Sequence, residues 1–216
     1  MFQDRRDAGR ALAELVAELP DLKDGVVLGL VRGGVPVAYE VARACGLPLD
    51  ILVVRKLGVP EQEELALGAI ASGGEVVLNR AVMRRARVSE ETLATIIARE
   101  QDEMARRERV YRENRVRVEI DGRAVILVDD GLATGATMRA AVRAVKGRAR
   151  TVVVAVPVGA KSTCAELATE ADRVICVTMP EPMDAVSLFY REFEATSDEE
   201  VRELMRLGSG VRTEDE

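Results

Sequence analysis

The sequence predicts an α/β fold: a doubly wound, parallel, five-stranded sheet in the order 2-1-3-4-5, with a small inserted lobe. Three observations predict it. Short apolar runs near residues 26–31, 49–54, 124–128, 151–156 and 173–177 are mostly separated by stretches of helical periodicity. These runs are continuously apolar rather than alternating, as strands covered by helices on both faces should be, and right-handed crossovers join such strands. The first and third runs are each followed by a glycine-containing turn and a helix start. In the predicted order these two are neighbours at the point where the winding reverses, the usual place for a ligand.

Residues 4–19 carry Ala8, Leu12, Leu15, Val16 and Leu19 at helical spacing before Pro20, which predicts a docking helix with no chemistry. The first strand leads into Arg32, Gly33 and Gly34. Pro36 then suits the first turn of a helix through Val37, Val41 and Cys45 that closes at Gly46. The second strand ends in Arg55 and Lys56, two cations at a rim where an anion is expected. Residues 57–79 break the alternation. Gly58, Val59 and Pro60 with Glu61, Glu63 and Glu64 predict an exposed mobile loop, and 67–70 and 75–78 predict short strands around Ser72, Gly73 and Gly74.

Asn79 and Ser89 are the expected caps of the next helices. The long helix over 89–114 places Leu93, Ile97, Met104 and Tyr111 on one stripe. Arg84, Arg85, Arg87, Arg106, Arg107 and Arg109 lie in the same region, but Glu100, Asp102, Glu103, Glu108 and Glu113 are interleaved and no aromatic platform accompanies them. A salt-bridged face accounts for this better than nucleic acid.

The third strand ends at Asp129 and Asp130. Gly131, Ala133, Thr134 and Gly135 form a small-residue turn, and Met138, Ala141, Val142 and Val145 share one face of the helix that follows, capped by Gly147. After the fourth strand, Pro157 and Gly159 break the run and Ser162 is the expected cap of a short helix. The proline-rich stretch 178–187 follows the fifth strand. Phe189, Tyr190 and Phe193 make up half of the six aromatic residues. Ser197 and Glu200 read as a capping box for a last helix through Val201, Leu204 and Met205, and 209–216 as a disordered tail. One domain over 1–208 accommodates all of this.

Composition narrows the chemistry. Of 216 residues, 48% are apolar and 31% charged, ordinary for a globular protein, and the net charge of −6 gives no electrostatic reason to expect nucleic acid. Without a long apolar run or a signal-like start, membranes are not expected and a cytoplasmic location is. Cys45, Cys164 and Cys176 read as buried, reduced thiols. The chain has no histidine, which removes the usual general base and, with no C-x-x-C spacing, any ordinary zinc site. Chemistry must rest on carboxylates, Lys, Arg, backbone amides and a hard metal ion.

A glycine turn at a helix N-terminus suits a phosphate, and the Thr134 and Thr137 hydroxyls add donors. Ala136 occupies the place of the lysine in a nucleotide-triphosphate loop, which argues against an NTPase. Two adjacent carboxylates beside an anion cradle suit a ligand with vicinal hydroxyls at one end and a phosphate at the other, such as ribose 5-phosphate.

The 13-residue stretch VILVDDGLATGAT (125–137) resembles the phosphoribosyl diphosphate (PRPP) motif of the type I phosphoribosyltransferases. The resemblance implies a magnesium-dependent transfer of phosphoribosyl from PRPP to a nitrogen acceptor, a nucleobase first among the candidates, with release of pyrophosphate. It implies that Asp129 and Asp130 hold the ribose hydroxyls and that Ala133, Thr134, Gly135, Ala136 and Thr137 wrap the 5-phosphate. Arg32, Gly33 and Gly34 fall at the family's pyrophosphate loop, where a strained peptide turns backbone amides to the diphosphate, and Arg55 and Lys56 at its basic position. Asp129, Asp130 and Lys56 are the residues expected to act in catalysis. Magnesium would be held through oxygen ligands and waters, with no dedicated protein site. By the same resemblance 57–79 is the lid that excludes water, with Glu61, Glu63 or Glu64 reaching the acceptor. Residues 178–195 form the hood, where Phe189 or Tyr190 either packs in the core or stacks on the acceptor, and the molecule is a homodimer. Some members place an acid before the Thr-Gly pair; Ala133 stands there, so that role falls elsewhere. The resemblance also allows a regulatory protein of the same fold that senses PRPP or nucleotides and binds RNA or DNA.

Overall fold

A computed structural model of the chain describes residues 1–20, 22–59, 62–113 and 115–208, with the backbone alone at 62–66 and 75. The elements in order are α1 (Arg5–Ala17), β1 (Val26–Leu30), α2 (Gly34–Cys45), β2 (Leu49–Leu52), β3 (Val54–Val59), β4 (Gln62–Ala71), β5 (Glu75–Leu78), α3 (Arg80–Ala86), α4 (Glu90–Arg112), β6 (Ala124–Val128), α5 (Ala136–Lys146), β7 (Thr151–Val158), α6 (Lys161–Leu167), β8 (Arg173–Thr178) and α7 (Asp198–Gly208), with a 3-10 turn at Val186–Phe189. The main sheet runs β2-β1-β6-β7-β8, all parallel, which is the predicted order 2-1-3-4-5.

Alternate residues of each strand feed two apolar layers. Val27, Ile126, Val128 and Val153 pack with α1, α2 and α7 on one face; Val26, Leu28, Val125 and Leu127 pack with α5 and α6 on the other. Residues on both sides of β1 and β6 are therefore buried, which is why these strands read as unbroken apolar runs. Gly29 lets α2 approach β1 closely, since a Cβ there would sit 3.0 Å from that of Ala38.

The insertion differs from the expected loop and two strands. The second strand stops at Leu52 instead of residue 54, and Val54 starts a separate antiparallel sheet, β3-β4-β5. Residues 57–59 belong to β3, and β4 begins at Gln62, ahead of the strand expected at 67. The physical reason is local: Ser72 Oγ accepts from Val53 N (2.8 Å), anchoring the bend between sheets, and β3 and β4 pair around a bulge near Gly58. Glu61 lies outside the described residues, as does the 209–216 tail, and the side chains of Glu63 and Glu64 are likewise not described.

The caps follow local chemistry. Asn79 and Ser89 accept from the amides of Val82 and Thr92, as expected, while α6 starts from Ala160 without a side-chain cap, so Ser162 lies inside the helix. Arg112 ties the end of α4 to β2 through a buried ion pair with Asp50 (3.0 Å). Cys164 is buried and reduced; Cys45 and Cys176 are only half-buried.

Candidate functional site

β1 and β6 are hydrogen-bonded neighbours, with Gly29 opposite Val128, so the turns that follow them abut at one rim. Contact is close: a Cβ on Gly34 would lie 2.5 Å from Val128 O, and one on Gly33 would collide with the Asp130 carboxylate. Glycine at both positions lets the 31–34 turn lie directly against the paired aspartates. The Val31–Arg32 peptide in that turn is cis.

The second turn is built to present donors. Gly135 takes φ 68° and caps α5, a left-handed conformation that favours glycine. Thr163 Oγ1 donates to Ala133 O (2.7 Å) and Arg139 Nη2 donates to Thr134 O (2.7 Å). With those carbonyls engaged, the turn offers its amides, the unpaired N–H groups of the first turn of α5, and the exposed hydroxyls of Thr134 and Thr137. Leu132 is held between the end of β7 and the start of α6, donating to Val158 O and accepting from Ala160 N, both 2.9 Å.

The two aspartates sit in unlike surroundings. Asp130 pairs with Arg5 Nε at 2.8 Å. Asp129 accepts from Asp130 N (2.9 Å), and burial followed by the Asp130 charge pushes its carboxyl well above the usual range. Arg5 sits on α1, which the sequence reads as a docking helix with no chemistry; the structure brings this one side chain to the candidate site. Helical periodicity sees the buried face of α1, whereas Arg5 reaches out from its first turn. Its guanidinium also donates to Glu194 O (2.5 Å) and lies 3.9 Å from the Phe193 ring centre.

Residues 178–195 close this side of the site. Tyr190 is buried between Phe2 and Phe193, with ring centres at 5.6 and 4.8 Å, and its hydroxyl donates to Asp130 O (2.6 Å). Burial first, then the Asp130 charge, pushes this phenol far above its ordinary value, so it stays a donor. Tyr190 is thus committed to the aspartate support; Phe189, on the 3-10 turn, has no ring partner among the described residues.

The basic residues separate. Arg32 reaches Asp198 (3.4 Å) at the start of α7, and Tyr111 donates to the same carboxylate (3.0 Å). Arg32, Arg106, Arg107 and Tyr111 line a recess of about 190 Å³. Arg55 and Lys56 alternate along β3, so they face opposite ways. Arg55 lies on Glu100 of α4 (2.5 Å), while Lys56 shares with Thr137 the wall of a cleft of about 330 Å³ between the insertion and α5. Lys56 therefore sits beside the 131–137 turn, and Arg55 does not join it. On α4, Arg106 and Arg107 clamp Glu103, as the interleaved acids imply; Arg84, Arg85 and Arg87 make no ion pair among the described residues.

The model of the phosphoribosyl transferase domain matches residues 3–188. A Mycobacterium tuberculosis protein, provisionally named a phosphoribosyl transferase, is 47% identical over 202 residues, 93% of this chain and 45% of that protein. The chain thus spans about half the length of the curated relatives it matches. The crystal structure of TT1426 from Thermus thermophilus is similar with a TM-score of 0.85 and 43% identity, covering 97% of this chain and 99% of that one. AQ2163 from Aquifex aeolicus shares the fold alone, at a TM-score of 0.50 and 11% identity over 83% of this chain and 76% of that one. On these matches, the chain belongs to the phosphoribosyl transferase domain family.

Proposed function

We propose that the chain transfers the 5-phosphoribosyl group of PRPP to a nitrogen acceptor, a nucleobase or an amine, and releases pyrophosphate. The observation that carries this reading is the contact between the Gly33–Gly34 turn after β1 and the Asp129–Asp130 pair, which follows β6 together with the Gly135 turn; a single sugar would span the two turns. The 131–137 turn would take the 5-phosphate, and Asp129 and Asp130 the ribose hydroxyls. The 31–34 turn would take the diphosphate, with Arg32 leaving Asp198 to join it. Lys56 adds positive charge from the insertion, on the 5-phosphate side.

Charge develops on the ribose ring as the bond to pyrophosphate breaks, and fixed carboxylates next to the ring stabilise it without reorganising. Arg5 and Tyr190 hold Asp130 in place from the side chain and the carbonyl. Water competes with the acceptor, and in this reading the insertion would exclude it. Among the described residues no group of three or more acidic or thiol side chains is placed to hold a metal. The donor set fits magnesium as an ion carried by the substrate, which typically keeps its waters and takes one or two carboxylates. Of the two aspartates, Asp129 is the one with no ion pair among the described residues. When bound, the ion would neutralise the diphosphate as it leaves.

The test is pyrophosphate release from PRPP and magnesium across a panel of purines, pyrimidines and simple amines. Release that depends on one acceptor class, with the matching nucleotide formed, supports the transferase. Tight PRPP binding with no release for any acceptor overturns it. Arg5→Ala is expected to raise the KM for PRPP by about tenfold, the worth of one charge-assisted hydrogen bond, with the fold retained. Arg5→Lys should recover part of this, because it keeps the charge but loses the fork that also reaches Glu194 O; steady-state kinetics and calorimetric titration with PRPP check both.

A further inference from the structure

Cys164 in α6 and Cys176 in β8 flank one backbone point. A Cβ on Gly159 would fall 2.7 Å from Cys164 Sγ and 3.4 Å from Cys176 Sγ. Both sulfurs pack in the α5 and α6 layer, whereas Cys45 lies in the layer on the opposite face of the sheet. Cys176 donates to Thr178 O (3.1 Å), the same carbonyl that accepts from Gly159 N. Each thiol perturbs the other: Cys176 holds Cys164 below its ordinary value, and Cys164, together with burial, holds Cys176 above. β8 is an edge strand and Cys176 on it is only half-buried, which leaves the Cys176 side of the pair open to small solutes, while Cys164 is buried behind it.

The pair adjoins the anion site without belonging to it. Thr163, the neighbour of Cys164, donates to the Ala133 carbonyl, and its methyl group lies 2.5 Å from where a Cβ on Gly135 would be. Any shift of Cys164 therefore moves the group that sets the 131–137 turn.

We propose that Cys164 and Cys176 are a reversible oxidation site for peroxides, whose closure to a disulfide pulls α6 toward β8, withdraws Thr163 from Ala133 and weakens phosphate binding. One thiolate attacks the O–O bond of the peroxide; its sulfur is oxidised to a sulfenic acid, and the other oxygen leaves as water after taking a proton. The second thiolate then attacks that sulfur, the S–S bond forms, the S–O bond breaks, and hydroxide leaves as a second water with the thiol proton. Two thiols and one hydrogen peroxide give one disulfide and two waters.

The experiment treats the full chain with hydrogen peroxide, digests it without reductant and maps the linked peptides by mass. The expected result is a Cys164–Cys176 link that dithiothreitol reverses, with Cys45 still free, and PRPP affinity lowered at least about fivefold in the linked form. Cys176→Ser should abolish both effects while leaving affinity under reducing conditions unchanged. Three titratable thiols after treatment, or a link through Cys45 or between two molecules, overturns the site. A Cys164–Cys176 link with unchanged affinity overturns the coupling to the turn. The coupling rests on the proposed phosphate site, but the link itself is read by mass and needs no activity, so its failure is distinct from failure of the transferase reading.

Discussion

Asp129→Asn and Asp130→Asn are each expected to lower kcat/KM for PRPP by at least about 100-fold, the scale of removing one group aimed at developing charge. The two variants should part company in stability. Asp130 is matched by Arg5, so its loss leaves a largely covered cation without its carboxylate, held by the Glu194 carbonyl and the Phe193 ring, and should lower the Tm. Asp129 is held by the fold above the usual carboxylate range. Its protonated form is favoured by folding, so the stability it contributes is complete below about pH 4 and is lost as pH rises through the folded value. Asp129→Asn should therefore melt higher than the parent at neutral pH, by about 2–4 °C if the relief is about 1 kcal/mol. That gap should shrink as the pH falls toward 4. Thermal melts from pH 4 to 8 beside steady-state kinetics check this; unchanged kinetics in both variants would remove the aspartates from the reaction.

Gly33→Ala is expected to cost at least about 100-fold in kcat/KM while the Tm stays within a few degrees. Gly33 has ordinary helical angles (φ −59°, ψ −31°), so alanine suits its backbone. The added methyl group meets the Asp130 carboxylate instead, and a displacement of about 1 Å in a positioned group is worth about two orders of magnitude in rate. Gly135→Ala is the control with a different signature. It forces alanine to φ 68° and against Thr163, so it should lose stability as well as activity. A Gly33→Ala enzyme with parental kinetics would show that the two turns do not share one ligand.

The main sheet is legible in the sequence because its signals are local. Unbroken apolar runs such as 124–128 and glycine turns such as 131–135 carry their meaning within ten residues, and strand order follows from where those turns must meet. The insertion is harder to read, since its strands begin at Val54 and Gln62 amid charged residues, and only pairing with each other makes them strands. The support of Asp130 is not legible at all. Arg5 and Tyr190 reach it across 125 and 60 positions, and no pattern on α1 or in 178–195 distinguishes these side chains from ordinary packing. Thr163 escapes sequence reasoning for the same reason, reaching Ala133 across 30 positions. The split of Arg55 from Lys56 follows only once β3, rather than the end of β2, is known to hold them.

The bond from Arg5 to Glu194 O spans 189 positions, and the amides of Phe2 and Arg191 are tied across the same junction. During synthesis at about 5–20 residues per second, β1, β6 and both glycine turns thus emerge well before Tyr190 and Glu194, the groups that complete the support of Asp130 and Arg5. The support of the paired aspartates is the part of this domain that folding completes late in translation.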